Sequence, residues 1–422
     1  MSAANWPAWR GSGGNGIATE TELPLHWNTN ENIRWTSPLP DRGNSTPIIW
    51  DGKVFVTQAV ESENRRGLIC FDRNNGLVLW QFGVIWTNKE PTHPDNPGCT
   101  PSPVTDGERV ISWFGSAGVF SLDFQGRELW RRDLGSQKHQ WGYASSPVLY
   151  RDLCLLNFGP GERSFVIALN KRTGKTVWRY EIPPIPATVR AEQFGGPSSA
   201  SPGVKMTPLS EIAGSWDTPL IVHTPDGDEL VLALPLRLMG FAPRTGEQLW
   251  SCDGPNIGIY NSTFSGDGLV ALTASGFRNT LLALHPGGRG DVTASHRLWL
   301  KALANSEGCV GSGVLAGGYI FLLNTTGVAE CFDERTGARV WSERLPAKGA
   351  RSSSFSSPLV AGDRLYLANR SGDVFVLRVG PKYELLAVNS IGEPMIASLA
   401  VAGGDIFIRT DKHLWCVSLH GR

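Results

Sequence analysis

The chain has 422 residues and the composition of a turn-rich, aromatic-rich β protein, with 49 Gly, 28 Pro, 16 Trp and 18% charged residues. Lys plus Arg equals Asp plus Glu at 39 each, so no net field attracts nucleic acid or anionic lipid. No apolar run approaches the roughly 20 residues that a membrane-spanning helix requires. These properties argue against a helical or disordered chain, a nucleic-acid partner and a transmembrane segment.

A repeat runs through the sequence. Each unit reads Ser/Thr-Pro, an alternating strand, Asp-Gly, two more strands and Thr-Gly-x-x-x-Trp, as in residues 147–178 and 219–250. Such a unit supplies about four strands, which is one β-propeller blade. The Gly suits a turn with positive φ, and the Trp can fill the space between neighbouring blades. Six units end on a closing Trp, at Trp80, Trp130, Trp178, Trp250, Trp299 and Trp341, and all but Trp299 have the Gly four positions earlier.

Two further blades follow from less regular copies. The seventh unit covers residues 358–386, with Tyr383 and Leu386 in place of the Trp. The eighth covers residues 396–419 and has only three strands, so the orphan strand at residues 32–35 is expected to complete it, because closure removes exposed edges. The sequence therefore predicts an all-β fold: a single eight-bladed propeller of four-stranded antiparallel blades, the last closed by an N-terminal strand.

Residues 1–422 are predicted to form one domain, with residues 1–46 as an N-terminal arm and closing strand and residues 182–214 as a long inter-blade loop. Trp6 and Trp9 are expected to anchor the arm across the outside of a blade. The seven Cys are scattered, without C-x-x-C spacing, and are predicted to be buried free thiols.

The repeats resemble the PQQ-like propeller superfamily, which includes bacterial quinoprotein alcohol dehydrogenases and the outer-membrane assembly lipoprotein BamB. NWPAWRG at 5–11, WGYASSPVL at 141–149 and LNFGPGERS at 156–164 more narrowly resemble secreted BamB-like propellers of planctomycetes. This resemblance implies a periplasmic or secreted protein whose signal peptide is absent from this sequence, while a cytoplasmic location stays open.

The dehydrogenase branch of that superfamily implies a quinone and a calcium ion on the propeller axis, beneath two adjacent cysteines. The present sequence has no Cys-Cys pair, and its Glu, Asn and Asp residues match no calcium-binding motif of that branch. The prediction is therefore no PQQ, no calcium and no other metal.

Candidate site residues precede each innermost strand or lie between second and third strands, because both sets open on one face of a propeller. Aromatic rings beside Arg, Asp and Asn suit a sugar or a carboxylated ligand, through stacking and bidentate hydrogen bonds. The catalytic candidates, as general acid or base, are His139 and His93. The ligand-binding candidates are Trp141, Tyr143, Trp216, Asp217, Tyr260, Asn261, Glu307, Arg351, Arg370 and Arg409.

Three functions stay open at this point. The first is a BamB-like binding or scaffolding propeller, expected to be a monomer, that presents an axial funnel to a protein or carbohydrate ligand. The second is a carbohydrate-active lyase or hydrolase that uses the same funnel. The third is a quinone-dependent dehydrogenase, which the missing Cys-Cys pair disfavours.

Overall fold

The computed structural model describes residues 5–136, 138–185, 214–275, 279–303 and 308–421. Eight four-stranded antiparallel sheets form a ring around one axis. The predicted eight-bladed propeller is therefore confirmed. Within the described residues, no helix is long and apolar enough to cross a membrane.

The first four blades follow one another along the chain, each built from the axis outward. Blade 1 contains Ile48–Trp50, Lys53–Val60, Arg65–Asp72 and Val78–Ile85. Blade 2 contains Val104–Thr105, Arg109–Trp113, Val119–Asp123 and Glu128–Arg132. Blade 3 contains Val148–Tyr150, Leu153–Phe158, Phe165–Asn170 and Thr176–Glu181. Blade 4 contains Leu220–Thr224, Gly227–Leu234, Arg237–Phe241 and Gln248–Asp253.

The last four blades complete the ring. Blade 5 contains Phe264–Gly266, Leu269–Ala274, Thr280–Leu284 and Arg297–Ala302. Blade 6 contains Val314–Ala316, Tyr319–Leu323, Val328–Asp333 and Arg339–Arg344. Blade 7 contains Leu359–Ala361, Arg364–Ala368, Asp373–Arg378 and Leu385–Ser390. Blade 8 contains Ala400–Ala402, Asp405–Arg409, His413–Ser418 and the N-terminal strand Ile33–Pro38.

Short elements supplement the blades. Ile17–Ala18 pairs in parallel with the innermost strand of blade 7, and Gly290–Asp291 pairs in parallel with the outer strand of blade 4. In the part of the chain that the structure describes, the helical segments are the α-helix Thr293–His296 and the 3-10 turns Glu61–Glu63 and Gly115–Ala117.

Blade 8 closes as predicted. Its outer strand, Ile33–Pro38, pairs antiparallel with His413–Ser418. An ion pair of 2.8 Å between Arg34 and Asp405 spans the same blade. The two ends of the chain therefore share one sheet, and no blade is left with a missing strand.

The Gly-x-x-x-Trp repeat is a packing device between blades. Gly174, in the closing turn of blade 3, has φ of 69°, and a methyl group there would lie 2.6 Å from the ring of Trp130 in blade 2. The indole N–H of Trp130 donates to the Lys171 carbonyl across the same junction, at 2.9 Å. Trp35, Trp80, Trp178 and Trp299 pack in the same way on Gly76, Gly126, Gly246 and Gly337. The glycine is thus required both by the turn and by the ring above it.

A second inter-blade device explains the Ser/Thr that opens each repeat. Seven backbone N–H groups donate to the hydroxyl of the equivalent residue in the next blade, at 2.8–3.0 Å. These bonds form a chain of hydroxyls next to the innermost strands, because each hydroxyl satisfies an N–H that has no strand partner. The chain runs through Thr46, Ser102, Ser146, Thr218, Ser262, Ser312, Ser357 and Ser398.

The N-terminal arm lies at the axis, so the prediction that it crosses the outside of a blade is wrong. Trp6 is 3% exposed and exchanges two backbone hydrogen bonds with Ile49, in the innermost strand of blade 1. Farther along, Pro7 accepts from the innermost strand of blade 2, and the Arg10 guanidinium donates to the Gly313 carbonyl before blade 6, at 2.6 Å. The innermost strands have unpaired backbone groups facing the axis, and the arm satisfies some of them.

All seven cysteines are buried free thiols, as predicted. Burial raises the pKa of Cys154 and Cys309 to about 12, which keeps these thiols protonated and unreactive. Of the predicted loop at 182–214, residues 186–213 lie outside the described part of the chain.

Candidate functional site

The loops that precede the innermost strands and those between second and third strands meet at one end of the axis, which we call the axial face. Asp95 and Arg370, from these two kinds of loop, form an ion pair there. The N-terminal arm lies toward the opposite end, where the Asn5 side chain accepts the backbone N–H of Asp51 in the first turn of blade 1, at 2.7 Å. The axial face is therefore the end of the propeller on which the candidate residues meet.

Three of the predicted residues form what we call the aromatic ledge: Trp141, Trp216 and Tyr260. Their ring centroids lie 5.4–5.7 Å apart, and each ring is partly exposed. The Trp216 indole donates to the Gly142 carbonyl at 3.0 Å, which joins two of the three loops. Aromatic rings that pack against one another and stay partly exposed provide a surface on which a ligand can stack.

His139 supports the ledge from below. Its ring lies edge-on to Trp216, with centroids 4.8 Å apart, and the residue is only 6% exposed. Its Nδ1 accepts the backbone N–H of Trp141 at 3.2 Å, so the neutral ring carries its proton on Nε2. Burial lowers the pKa of His139 to about 4. A ring whose only unprotonated nitrogen already accepts a hydrogen bond is poorly arranged to act as a general base.

The pKa of His139 predicts a pH dependence of stability. Burial lowers the folded-state pKa from 6.5 to about 4, so the unfolded chain binds a proton that the folded chain does not. Between these two values, stability therefore falls as the pH falls, by about 2 kcal/mol from pH 7 to pH 5. Urea unfolding at both pH values should show a change in stability from pH 7 to pH 5 that is less favourable in the wild type than in His139→Gln by about 2 kcal/mol, because Asp217 and the other titrating groups are common to both proteins. Equal pH dependence in the two proteins would contradict it.

Across the axial face from the blades that carry the ledge lies a polar hollow that we call the arginine depression. Its volume is about 30 Å³, and it opens to solvent. Its charged and polar lining residues are Arg42, Asn44, Asp95, Arg351, Arg370 and Asp411. Arg370 is held by the Asp95 carboxylate and lies over the Phe355 ring, 4.9 Å from its centroid.

Asp411 is the second carboxylate of the depression. Burial raises its pKa, while Arg42, Arg351, Arg370 and Arg409 act in the opposite direction. Several arginines thus surround one partly desolvated carboxylate. The field of the depression is positive, because three arginines line it against two carboxylates.

The loop that carries Asp95 connects the depression to the ledge. Asn44 donates to the Asp95 carbonyl at 2.7 Å, and Asn96 donates to the Trp141 carbonyl at 2.7 Å. His93, the other catalytic candidate, is exposed on this loop, and its Nδ1 accepts the Asp95 backbone N–H at 3.1 Å. The structure therefore places His93 in a loop turn beside the depression.

Four predicted ligand residues are instead buried contacts within and between blades. The Tyr143 hydroxyl donates to the Phe114 carbonyl at 3.1 Å. Asp217 accepts the backbone N–H groups of Ala233 and Thr263, and burial raises its pKa to about 8. The remaining two are Asn261, bonded to the Thr273 hydroxyl, and Arg409, bonded to blade 1. Each is at most 5% exposed, so none of them offers its polar atoms to a ligand on this face.

One predicted residue, Glu307, lies outside the described residues. Four polar residues of the depression are not among the predicted site residues: Arg42, Asn44, Asp95 and Asp411. Asp411 lies between the second and third strands of blade 8, which is the rule that selected Arg370 in blade 7. The same rule could therefore have selected Asp411 from the sequence. Arg42 precedes an innermost strand by several residues, and no motif marks it.

Two carboxylates of the axial face, Asp95 and Asp217, are not available to a quinone–calcium site. Asp95 is held by Arg370, and Asp217 is buried against backbone N–H groups. Within the described residues, no three His, Cys, Asp or Glu side chains come together in a group that could hold a metal ion. A calcium ion requires several free oxygen ligands, and these carboxylates are already engaged.

Eight four-stranded blades, with Trp–Gly packing at five of their junctions, form a propeller of the PQQ-like class. The family model described as outer membrane protein assembly factor BamB matches residues 17–142, 84–207 and 236–381, which is more than half of the chain. The chain therefore belongs to this BamB-like family. No curated protein matches it in sequence.

Solved structures share the fold at low identity. BamB from Moraxella catarrhalis is 14% identical, with a TM-score of 0.59, over 90% of this chain and 98% of that one. The quinohemoprotein alcohol dehydrogenase from Comamonas testosteroni is 12% identical, with a TM-score of 0.66, over 99% of this chain and 81% of that one. A europium-containing methanol dehydrogenase is also 12% identical, with a TM-score of 0.63, over 94% of this chain and 87% of that one. These likenesses concern the fold alone.

Proposed function

We propose that this protein is a BamB-like binding or scaffolding propeller that docks a protein or glycan ligand on its axial face. The observation that carries the proposal is the aromatic ledge, in which three loops hold Trp141, Trp216 and Tyr260 together and partly exposed. Large, rigid aromatic side chains provide contact area at low entropic cost, which is why they dominate recognition surfaces. The arginine depression supplies the polar groups that orient a ligand.

The setting that we propose is periplasmic or secreted, with the protein acting as a monomer and without quinone or calcium. The family description, which names an outer membrane protein assembly factor, supports a location in the cell envelope. The engaged carboxylates of the axial face support function without a metal. The likeness to secreted planctomycete propellers stays a prediction.

The test is to remove the ledge. Trp141→Ala combined with Tyr260→Ala is expected to weaken binding about tenfold or more, because truncating an aromatic anchor commonly costs about 2 kcal/mol. Binding is measured on arrays of glycans and of envelope-protein segments, and the thermal midpoint confirms that the variant is folded. Leu129→Ala, an exposed apolar residue on the outer strand of blade 2, is the control. Unchanged affinity in the ledge variant, or no binding by the wild type, would refute the proposal.

The enzyme alternative receives no support from the described residues. His139 is buried, and its Nδ1 already accepts a hydrogen bond. His93 lies in a loop turn, and the titratable group that the structure shows beside it is Asp95. Acid–base chemistry on a glycan needs two groups placed on either side of the bond to be broken. The binding function is the one that the geometry favours.

A further inference from the structure

Two arginines of the depression have no direct hydrogen-bonded or ion-paired partner among the described residues, although Asp411 lies in the same hollow. Within the described residues, neither the Arg42 nor the Arg351 guanidinium has a hydrogen bond or an ion pair, whereas Arg370 is engaged with Asp95. Both of the first two are exposed, and both line the same hollow. Two unpaired guanidinium groups on one concave surface are a suitable arrangement for a carboxylate, which accepts paired N–H donors.

We infer that the depression binds a uronic acid, a sugar residue that carries a carboxylate. This inference rests on the proposed function and names the chemistry of its ligand. The sugar carboxylate lies between Arg42 and Arg351, and the ring hydroxyls lie toward Asp411 and Asn44. Neighbouring sugars of the same chain extend toward the aromatic ledge.

Acidic groups inside a basic hollow favour a sugar over an acidic peptide. A uronic acid has hydroxyl donors next to its carboxylate, so Asp411 can accept a hydrogen bond from the same residue whose charge the arginines bind. A glutamate or aspartate side chain brings a carboxylate without adjacent hydroxyls, so it offers Asp411 no hydrogen bond that offsets the repulsion between like charges. The mixed lining therefore matches a hydroxylated carboxylate.

The depression is held in shape before any ligand arrives. The Arg351 backbone N–H donates to the Ser371 hydroxyl at 2.8 Å, and that hydroxyl donates back to the Arg351 carbonyl at 3.2 Å. Arg370 lies over Phe355, and Asn44 is tied to the Asp95 carbonyl. Loops fixed in this way lose little entropy on binding, which favours affinity for a small charged group.

The loop that carries Asp95 and Asn96 connects the arginine depression to the aromatic ledge, so a glycan chain can follow it from one to the other. Asp95 lines the depression, while the Asn96 side chain donates to the Trp141 carbonyl of the ledge. A glycan of several residues can therefore place one carboxylate among the arginines and stack another ring on the ledge.

The experiment is calorimetric titration of the full chain with oligogalacturonate, with its methyl ester and with poly-glutamate. Oligogalacturonate should bind, and esterification, Arg42→Gln and Arg351→Gln should each weaken binding about tenfold, the usual effect of losing a charge-assisted hydrogen bond. Poly-glutamate should bind more weakly. Arg244→Gln, an exposed arginine in a turn at the opposite end of blade 4, is the matched control and should bind like the wild type.

Three results would overturn the inference: equal binding of the methyl ester, poly-glutamate binding that matches oligogalacturonate, or arginine variants that bind like Arg244→Gln. Failure of oligogalacturonate to bind, while another ligand binds in a way that depends on Trp141, would reject the uronic acid and leave the proposed function intact. Loss of all ligand binding to the axial face would reject both.

Discussion

Replacement of Trp6 by alanine is expected to lower the free energy of unfolding by about 3–5 kcal/mol, the usual cost of truncating a buried Trp. Trp6 is 3% exposed at the axis and packs with Ile49 in the core that joins blades 1, 7 and 8. Gly11 folds the arm back over the Trp6 ring with φ of 82°, and a methyl group there would lie 2.9 Å from the ring. The arm thus repeats the Trp–Gly packing of the blades.

Trp6 also fixes the arm to several blades at once. Its two backbone hydrogen bonds join blade 1, Pro7 joins blade 2, and Gly16 accepts from Val360 in blade 7. Because these contacts lie far apart in the sequence, loss of the Trp6 ring is expected to loosen the whole arm rather than one residue. Limited proteolysis should therefore cleave the variant ahead of Ile33 faster than the wild type.

The measurement is chemical denaturation of Trp6→Ala beside two matched variants. Trp9→Ala changes the second Trp of the same arm, which is only partly buried, and should cost clearly less. Trp6→Phe keeps an aromatic ring in the site and should fall between the two. An unfolding midpoint for Trp6→Ala equal to that of Trp9→Ala would show that the Trp6 side chain does not let the arm stabilise the propeller.

The fold could be predicted because the residues that pack between blades recur at a regular spacing in the sequence. At five junctions a Trp packs on a Gly of the next blade, so a pair such as Trp130 and Gly174 recurs with the blade repeat and can be counted. The arm has no such period. Its contacts use backbone groups of the innermost strands, as between Pro7 and Thr105, and backbone bonds leave no mark on residue type. The axial position of the arm was therefore not predictable from its residues.

The site was predicted in part. The candidates were chosen because they lie in loops that open on the axial face, and this criterion does not give the direction in which each side chain points. Trp216 and Tyr260 each lie two positions before a residue of the hydroxyl chain, and both are partly exposed. Asp217 and Asn261 each lie one position before it, and both are buried. Successive residues of an extended segment point in opposite directions, so a shift of one position turns a ligand contact into an inter-blade contact.

Arg409 shows how an internal contact can resemble a ligand residue. It is wholly buried in blade 8 and donates to the Thr57 carbonyl at 2.7 Å and to Gln58 Oε1 at 2.8 Å, both in blade 1. Its guanidinium also bonds to the Ser45 hydroxyl. Burial lowers the pKa of Arg409 to about 10, so the group stays charged at neutral pH. It joins the blade that contains both ends of the chain to the blade that follows.

Arg409→Met is therefore expected to lower the free energy of unfolding by about 3–5 kcal/mol, because buried acceptors lose their only charged donor. Lysine cannot supply the same fork of N–H groups, so Arg409→Lys should recover only part of the loss. Arg344→Met is the control, since Arg344 is exposed and donates to a single carbonyl, and it should change stability by no more than about 0.5 kcal/mol.

Hydrogen exchange can locate the effect of Arg409→Met. If Arg409 closes the ring, amide exchange should accelerate first in Lys53–Val60 and Asp405–Arg409, on the two sides of the junction, and later in blades 3 to 5. Uniform acceleration would indicate a general loss of stability without a closure role. If the variant instead binds ligand more weakly while its stability and hydrogen exchange are unchanged, Arg409 is a ligand-binding residue, as the sequence predicted.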